Sequence, residues 1–342
     1  MKGKILNSNF CNFQKKNKIE KNLRISVAMC TYNGELFLPE QLESIARQTV
    51  LPNELIICDD NSTDATLRIL KDFQEKAPFE IKIYRNISKL GSTKNFEKAI
   101  SLCNENIIVL SDQDDVWLPY KIEKLEHIFK SNPDIGYVFS DAIVVDEKLF
   151  PLGYTMWKSI LFTTYQRRLF RNGYQVEILL KHNVVTGATM AFRAEKRDWI
   201  LPISNQWVHD AWIALLVSAA GINGNFIEES LIKYRQHSTQ LIGGKKPSFS
   251  EQLRKTYNIK SNSYGIMAKQ FEDILDRLIL MDKLKANTKL LINSKIKHLR
   301  TRQNIHEISH LKRFNWIFKE LFSKRYHKFS NGWKSVAKDL LY

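Results

Sequence analysis

Ile107-Ile108-Val109-Leu110-Ser111-Asp112-Gln113-Asp114-Asp115 is the stretch that decides the fold: four apolar residues run directly into three carboxylates spread over four positions. An apolar run ending in clustered charge reads as a central strand that delivers its charge to the carboxyl edge of a sheet. Open α/β sheets bind their ligands at that edge. Carboxylates gathered there repel one another unless positive charge sits between them. A hard divalent cation, Mg2+ or Mn2+, is the usual solution, because it takes oxygen ligands and bridges to substrate phosphates. The competing reading is an acidic turn that caps a helix starting near Pro119.

Upstream, strands and helices alternate. Arg24 to Met29 is a β-rich run ending in Cys30-Thr31-Tyr32-Asn33-Gly34, and Leu38 to Arg47 has helical spacing. Glu54 to Cys58 is a second strand, and Asp59-Asp60-Asn61-Ser62-Thr63-Asp64 after it is suited to cap a helix over Ala65 to Glu75. Glu80 to Tyr84 reads as a third strand, Gly91 to Cys103 as a helix and Ile107 to Leu110 as a fourth strand. The alternation predicts an α/β fold with a parallel sheet and right-handed crossovers. The polar clusters after the first, second and fourth strands then converge at one edge. Downstream, Gly136 to Val145 and Val184 to Phe192 read as strands, Trp207 to Ala220 as a helix and Glu229 to Tyr234 as a short strand. Gly243-Gly244 and Pro247 break the chain, and helical spacing dominates from Phe249 onward.

The 342 residues carry a net charge of +16, unevenly spread. Residues 241–342 hold 22 Lys+Arg against 8 Asp+Glu, a net of +14, which leaves +2 for residues 1–240. The division predicts a flexible, polar leader over residues 1–23, a catalytic α/β domain over 24–240 and a basic, mainly helical region over 241–342. No apolar run approaches the ~20 residues of a membrane-spanning helix. The leader has no apolar segment of the kind a secretory signal needs. Cys11, Cys30, Cys58 and Cys103 form no C-x-x-C pair, so reduced thiols in a cytoplasmic protein are expected.

Five motifs stand in order: T-Y-N-G at Thr31 to Gly34, D-D-N-S-T-D at Asp59 to Asp64, S-D-Q-D-D-V-W at Ser111 to Trp117, H-D-A-W at His209 to Trp212 and Y-R-Q-H at Tyr234 to His237. Together they resemble bacterial family 2 glycosyltransferases of the GT-A fold, in particular rhamnosyltransferase-like members that build surface polysaccharides. The resemblance covers roughly residues 24–240. It implies a GT-A sheet flanked by helices and an inverting, metal-dependent transfer of a sugar, possibly rhamnose, from a dTDP- or UDP-sugar to a glycan hydroxyl on a lipid-linked acceptor. By the same resemblance, Thr31, Tyr32, Asn33 and Glu35 are candidates for base and ribose contacts, Asp60 for the pyrimidine N3–H and Asp112 for ribose. Asp114 and His237 are candidates for the Mg2+ or Mn2+ site, Arg235 for phosphate and Asp210 for the catalytic base. His209 stands where relatives often have Glu, and is left to hold acceptor or to pack. Helix capping by Asp59, Asp60 and Asp210 remains the bland alternative.

In the basic region, Phe314, Ile317, Phe318, Leu321 and Phe322 recur at helical spacing among Lys312, Arg313, Lys319, Lys324 and Arg325. A basic amphipathic helix with aromatic residues reads as an element for an anionic membrane surface, which would hold the protein peripherally on the inner face of the cell membrane. The alternative is a helix that docks its apolar face on the catalytic domain. Nucleic acid is not expected, since no zinc-finger spacing or RNA-recognition motif is present. Two further classes compete with the transferase: a nucleotidyltransferase, which lacks its Gly-rich basic phosphate loop here, and a non-catalytic basic scaffold.

Overall fold

Ile25, Val27 and Met29 alternate with Ala28 along the first strand, and all four are buried. In the computed structural model, which describes residues 23–237 and 261–341, this strand lies inside a sheet covered on both faces. The N-terminal half runs β1 (Ile25–Thr31), α1 (Leu38–Ala46), β2 (Glu54–Asp59), α2 (Thr66–Gln74), β3 (Glu80–Arg85), α3 (Ser92–Leu102) and β4 (Ile107–Ser111). Next come β5 (Val116–Trp117), α4 (Lys121–Ser131), β6 (Tyr137–Val145), β7 (Pro151–Thr155), α5 (Met156–Ser159), α6 (Thr164–Arg171) and α7 (Gln175–Lys181). The half closes with β8 (Ala191–Arg193), α8 (Arg197–Ile200), α9 (His209–Ala219) and β9 (Gly224–Arg235). The strand order is β3-β2-β1-β4-β8-β6-β9-β5, with β7 on β6, nine strands among the described residues.

β3, β2, β1 and β4 are parallel, as the alternating pattern predicts. Beyond β4 the sheet is mixed: β8 is antiparallel to β4 and β6, while β6 and β9 are parallel. One face is covered by α1, α2 and α4 through Leu42, Leu70 and Leu125, the other by α3 and α9 through Phe96, Ile100 and Trp212. Cys58 and Cys103 are buried, and burial pushes their thiols up to about 11 and about 12.

Three expectations are corrected. The strand expected over Val184 to Phe192 shrinks to β8, because Gly187–Thr189 turns as a 3-10 helix whose Gly187 N–H is taken by a carboxylate rather than by the ladder. The strand expected to begin at Glu229 begins at Gly224, where a side chain would run into the Tyr137 ring at 2.2 Å. The helix expected near Pro119 begins at Lys121, but the acidic turn does not cap it, since α4 has no side-chain cap.

The basic region forms α10 (Ser261–Leu280), α11 (Ala286–Glu307), α12 (His310–Phe322), α13 (Arg325–Phe329) and α14 (Trp333–Leu341). Tyr264, Ala268, Phe271, Ile274 and Leu278 of α10 join Ile292, Ile296 and Leu299 of α11 in the same core as Trp212 and Leu215 of α9. Trp207 seals the junction: its ring meets Phe271 at 5.5 Å and its indole N–H donates to the Gln270 carbonyl at 2.8 Å. Inside the helical region Arg302 pairs with Asp339 through two bonds of 2.8 and 2.7 Å, joined by His306 and the Tyr326 hydroxyl. Those bonds hold the Asp339 carboxyl down to about 2 against its burial. Part of the basic charge is thus used internally.

The helix expected to present one apolar face presents two. Ile317 (3% exposed) docks inward with Tyr326 and Val336, while Phe314 (51%), Phe318 (54%) and Phe322 (82%) stand in solvent beside Lys319. The split predicts a contrast. Phe271→Ala should cost about 3–5 kcal/mol in urea unfolding, as a large core ring is lost. Phe318→Ala should stay within about 0.5 kcal/mol. Of the residues 1–23 expected as a leader only Leu23 is described, and the boundary near 241–248 lies outside the described residues.

Candidate active site

β1, β2 and β4 end together because their registers align: Thr31 pairs with Asp59, and Met29 with Ser111. The three loops that follow are then laced to one another. Asp59 is buried and accepts from the Thr31 hydroxyl at 2.9 Å, the Ser62 N–H at 2.9 Å and the Ser62 hydroxyl at 2.5 Å. Thr31 is itself buried, so its hydroxyl serves the scaffold rather than an open pocket. Asn33, at φ 46°, accepts from the Thr63 N–H at 2.9 Å and ties the first loop to the second. Glu35 accepts from the Ala65 N–H at 2.9 Å, and Asp64 from the Thr66 N–H at 3.0 Å, so these two, rather than Asp59 and Asp60, serve the start of α2. Asp60 accepts from the Leu90 and Gly91 N–H groups, at 2.7 and 2.9 Å, and from the Asn86 amide at 2.9 Å. It therefore sits where β2, β3 and α3 meet. Tyr32 is exposed, with the Lys89 ammonium 3.5 Å from its ring centroid.

Gln113, between the carboxylates, went unread in the sequence. Its amide receives the Tyr32 N–H at 2.8 Å and donates to the Tyr32 carbonyl at 3.0 Å, pinning the first loop to the acidic one. A side chain at Gly34 would strike that amide at 2.3 Å, which explains the glycine of T-Y-N-G.

The acidic loop is electrostatically loaded. Burial, then Asp114 and Asp210, push the half-buried Asp112 carboxyl up to about 7. Asp115 is fully buried and pushed up by burial, Asp114 and Asp112; one oxygen accepts from the Arg235 N–H at 3.1 Å, and the other has no partner among the described residues. Beneath the loop lies Lys121, whose buried ammonium donates to the Ala188 carbonyl at 2.8 Å over the Trp117 ring. Its position in the first turn of α4 looks like that of any surface lysine, so only the fold reveals it.

Asp114 Oδ2 lies 2.7 Å from His237 Nε2, and the imidazole rests against Phe37 at 4.8 Å. Among the described residues no cluster of three or more ligating side chains is assembled. A partly buried carboxylate and an imidazole that converge still fit a cation that draws its remaining ligands from substrate phosphates and water, the usual habit of Mg2+. Arg235, expected to face phosphate, is placed differently. It is 1% exposed and its guanidinium donates to the Asp114 carbonyl at 2.8 Å, to the Glu147 carbonyl and to Glu40, with Phe37 stacked against it. It shapes the Asp114 loop from behind.

Asp210 lies in the first turn of α9. Oδ2 accepts from the Gly187 N–H at 2.8 Å and Oδ1 from the Ala211 N–H at 2.5 Å, with the Asn183 amide at 3.4 Å. Burial nevertheless raises its carboxyl to about 6, since the backbone bonds only partly offset desolvation. His209 packs: it stacks on Phe96 at 4.0 Å, and burial lowers its imidazole to about 3. A Cβ at Gly187 would lie 2.7 Å from His209 Nε2 and 3.6 Å from Asp210 Cβ. The contact with Asp210 is ordinary, so Gly187→Ala should push on His209 and through it shift the adjoining Asp210, lowering turnover about 10- to 100-fold, because small misplacements of reacting groups cost that much. Steady-state rates beside a thermal melt check it; wild-type turnover would show that His209 yields instead.

The model of the family described as "Glycosyl transferase family 2" matches residues 26–198. The chain is 43% identical over 99 residues to the dTDP-rhamnosyl transferase RfbG of Shigella flexneri, covering 28% of this chain and 34% of that protein. It is 30% identical over 213 residues to the uncharacterized glycosyltransferase MJ1057 of Methanocaldococcus jannaschii, covering 62% of this chain and 70% of the relative. It is 28% identical over 219 residues to an uncharacterized glycosyltransferase of Haemophilus influenzae, covering 63% and 66%. The chain thus spans about a third of the length of RfbG and about two thirds of the other two. Among solved structures, residues 1–349 of S. aureus TarS superpose with a TM-score of 0.53 at 14% identity, covering 88% of this chain and 92% of that one.

Proposed function

Because the chain belongs to glycosyl transferase family 2, we propose that it is an inverting glycosyltransferase that moves a sugar from a pyrimidine nucleoside diphosphate to a glycan hydroxyl. One observation carries the reading. The turn Gly187–Thr189 joins the acidic loop to Asp210: its Ala188 carbonyl accepts from the Lys121 ammonium beneath the loop at 2.8 Å, and its Gly187 N–H donates to Asp210 at 2.8 Å. On this reading the acidic loop serves as donor clamp and Asp210 as base of one site.

In this reading the loop around Tyr32 and Asn33 borders the nucleotide, Asp60 accepts the pyrimidine N3–H beside its backbone partners, and Asp112 takes a ribose hydroxyl. Asp114 and His237 would hold Mg2+ or Mn2+, whose chemistry here is to neutralise charge on the departing diphosphate. Asp210 receives the acceptor hydroxyl's proton at a carboxylate oxygen while that hydroxyl attacks the anomeric carbon on the side opposite the diphosphate, inverting it. Gly187 and Ala211 aim the carboxylate through their N–H groups. The match to RfbG supports dTDP-rhamnose as the first donor to try. The test is donor hydrolysis by the purified chain against dTDP-, UDP- and GDP-sugars, with and without Mn2+ or Mg2+. Failure of every nucleotide to bind or turn over would reject the transferase reading.

The acceptor in this reading is a glycan on a lipid carrier, reached from the cytoplasmic face of the membrane. Among the described residues no helix is long and apolar enough to cross a membrane. The exposed Phe314, Phe318 and Phe322 stripe, with the surplus of basic charge, supports peripheral attachment. The full-length chain should sediment with phosphatidylglycerol vesicles at low salt and release at high salt, each basic residue near the surface contributing about 1 kcal/mol. Replacing Phe314 and Phe318 by Ser should weaken the binding that survives salt. Indifference to both lipid charge and salt would remove the membrane from the proposal.

A further inference from the structure

A cavity of about 150 Å3 lies where the C-terminal helices meet the catalytic half. Lys181, His182 and Asn183 line it from the end of α7, Trp207 from the loop before α9, Met267 from α10 and Lys295 from α11. Two of these are lysines and no lining residue is acidic; burial lowers the His182 imidazole to about 4, so it adds no charge near neutral pH. Lys295 is buried, and its ammonium donates to the Phe329 carbonyl at 2.9 Å. Burial, then the positive charges of Arg302 and Lys181, lowers it to about 7. The Phe329 carbonyl and the Phe271 ring, 5.1 Å away, hold the ammonium in place, and no carboxylate among the lining residues balances its charge.

The cavity also adjoins the base. Asn183, in its wall, reaches Asp210 Oδ1 at 3.4 Å, and Ala211, which also lines it, follows Asp210 in the chain. We infer that this cavity is an acceptor subsite for an anionic group, a phosphate or a carboxylate, carried by the acceptor, with Lys295 as its counter-charge and Asn183 marking the side toward Asp210. The inference rests on the transferase reading above and adds to it that the acceptor is charged. Its size admits a single small group, the end of an acceptor rather than a length of chain.

The test uses the full chain with 13C-methyl-methionine, its nucleotide site filled with UDP and Mg2+, and the Met267 signal assigned through Met267→Leu. Inorganic phosphate, glucuronate and neutral glucose are titrated in turn. The Met267 methyl should move with an anion and not with glucose, and Lys295→Met should abolish the movement while leaving UDP binding unchanged. A response to phosphate alone assigns the charge to a phosphate group; a response to glucuronate alone assigns it to an acidic sugar. If UDP binds but neither anion moves Met267 in the wild type, or the movement survives Lys295→Met, the inference is overturned. If UDP itself does not bind, the transferase reading fails first. The wild-type titration decides whether an anion enters even should Lys295→Met fold poorly.

Discussion

An Asp210→Asn protein should bind donor and metal almost as the wild type does and turn over about 100- to 10,000-fold more slowly, the range of general-base contributions. Asparagine keeps the shape but accepts no proton. Asp210 receives the Gly187 N–H on one oxygen and the Ala211 N–H on the other. An amide satisfies only one of them and turns its own NH2 toward the second, at a cost of about 1–3 kcal/mol. A melt therefore belongs beside the kinetics, so that lost stability is not read as lost catalysis. The pH profile supplies an independent sign. Burial raises the Asp210 carboxyl to about 6 and the base works only when ionised, so wild-type turnover should fall as pH drops through about 6. That limb should be absent from the residual activity of Asp210→Asn. A collapse of donor affinity with intact turnover of bound donor would assign Asp210 to the nucleotide site instead.

Asp114→Ala should remove metal-dependent activity, by more than about 100-fold, since even the outer partners of metal ligands are worth 10–100-fold. The fold should survive, because Asp114 is a partly exposed loop residue and Arg235 holds its carbonyl, which alanine retains. Stability without metal should be unchanged or slightly higher. Asp114 is among the charges that push Asp112 and Asp115 up, so removing it eases the repulsion around both. The measurements are transfer at saturating donor across a Mn2+ titration, and a thermal melt in a chelator. Retention of most activity at saturating metal would falsify the assignment of Asp114 to the cation site.

The order of elements through β4 and the convergence of the three loops were legible in the chain because their signals are local. An apolar run covered on both faces, followed by carboxylates, declares a buried strand and its edge within ten residues. Asp60, Asp112 and Asp114 follow the ends of those strands, whereas Asp210 is marked by the resemblance of H-D-A-W to a family motif. Residues 151–182 gave no such signal. Trp157, Phe162 and Phe170 share no period, yet they gather with Phe139 and Phe226 into one aromatic cluster with ring centroids 5.1 to 5.9 Å apart, closed by three short helices.

What each polar side chain is spent on was decided only in three dimensions. Gln113 holds Tyr32 across 81 residues of sequence, and Arg235 meets Glu40 across 195. Arg235 therefore turns inward although its motif suggests phosphate, and the two faces of α12 separate because Ile317 packs with Tyr326 and Val336 while Phe318 stays exposed among the described residues. Sequence alone determined which chemistry gathers at the sheet edge, through propensity and pattern that act between near neighbours. Tertiary structure determined which of those groups remain available to a substrate, because a charged or polar group brought out of water must be bonded, and its partners come from wherever the chain returns.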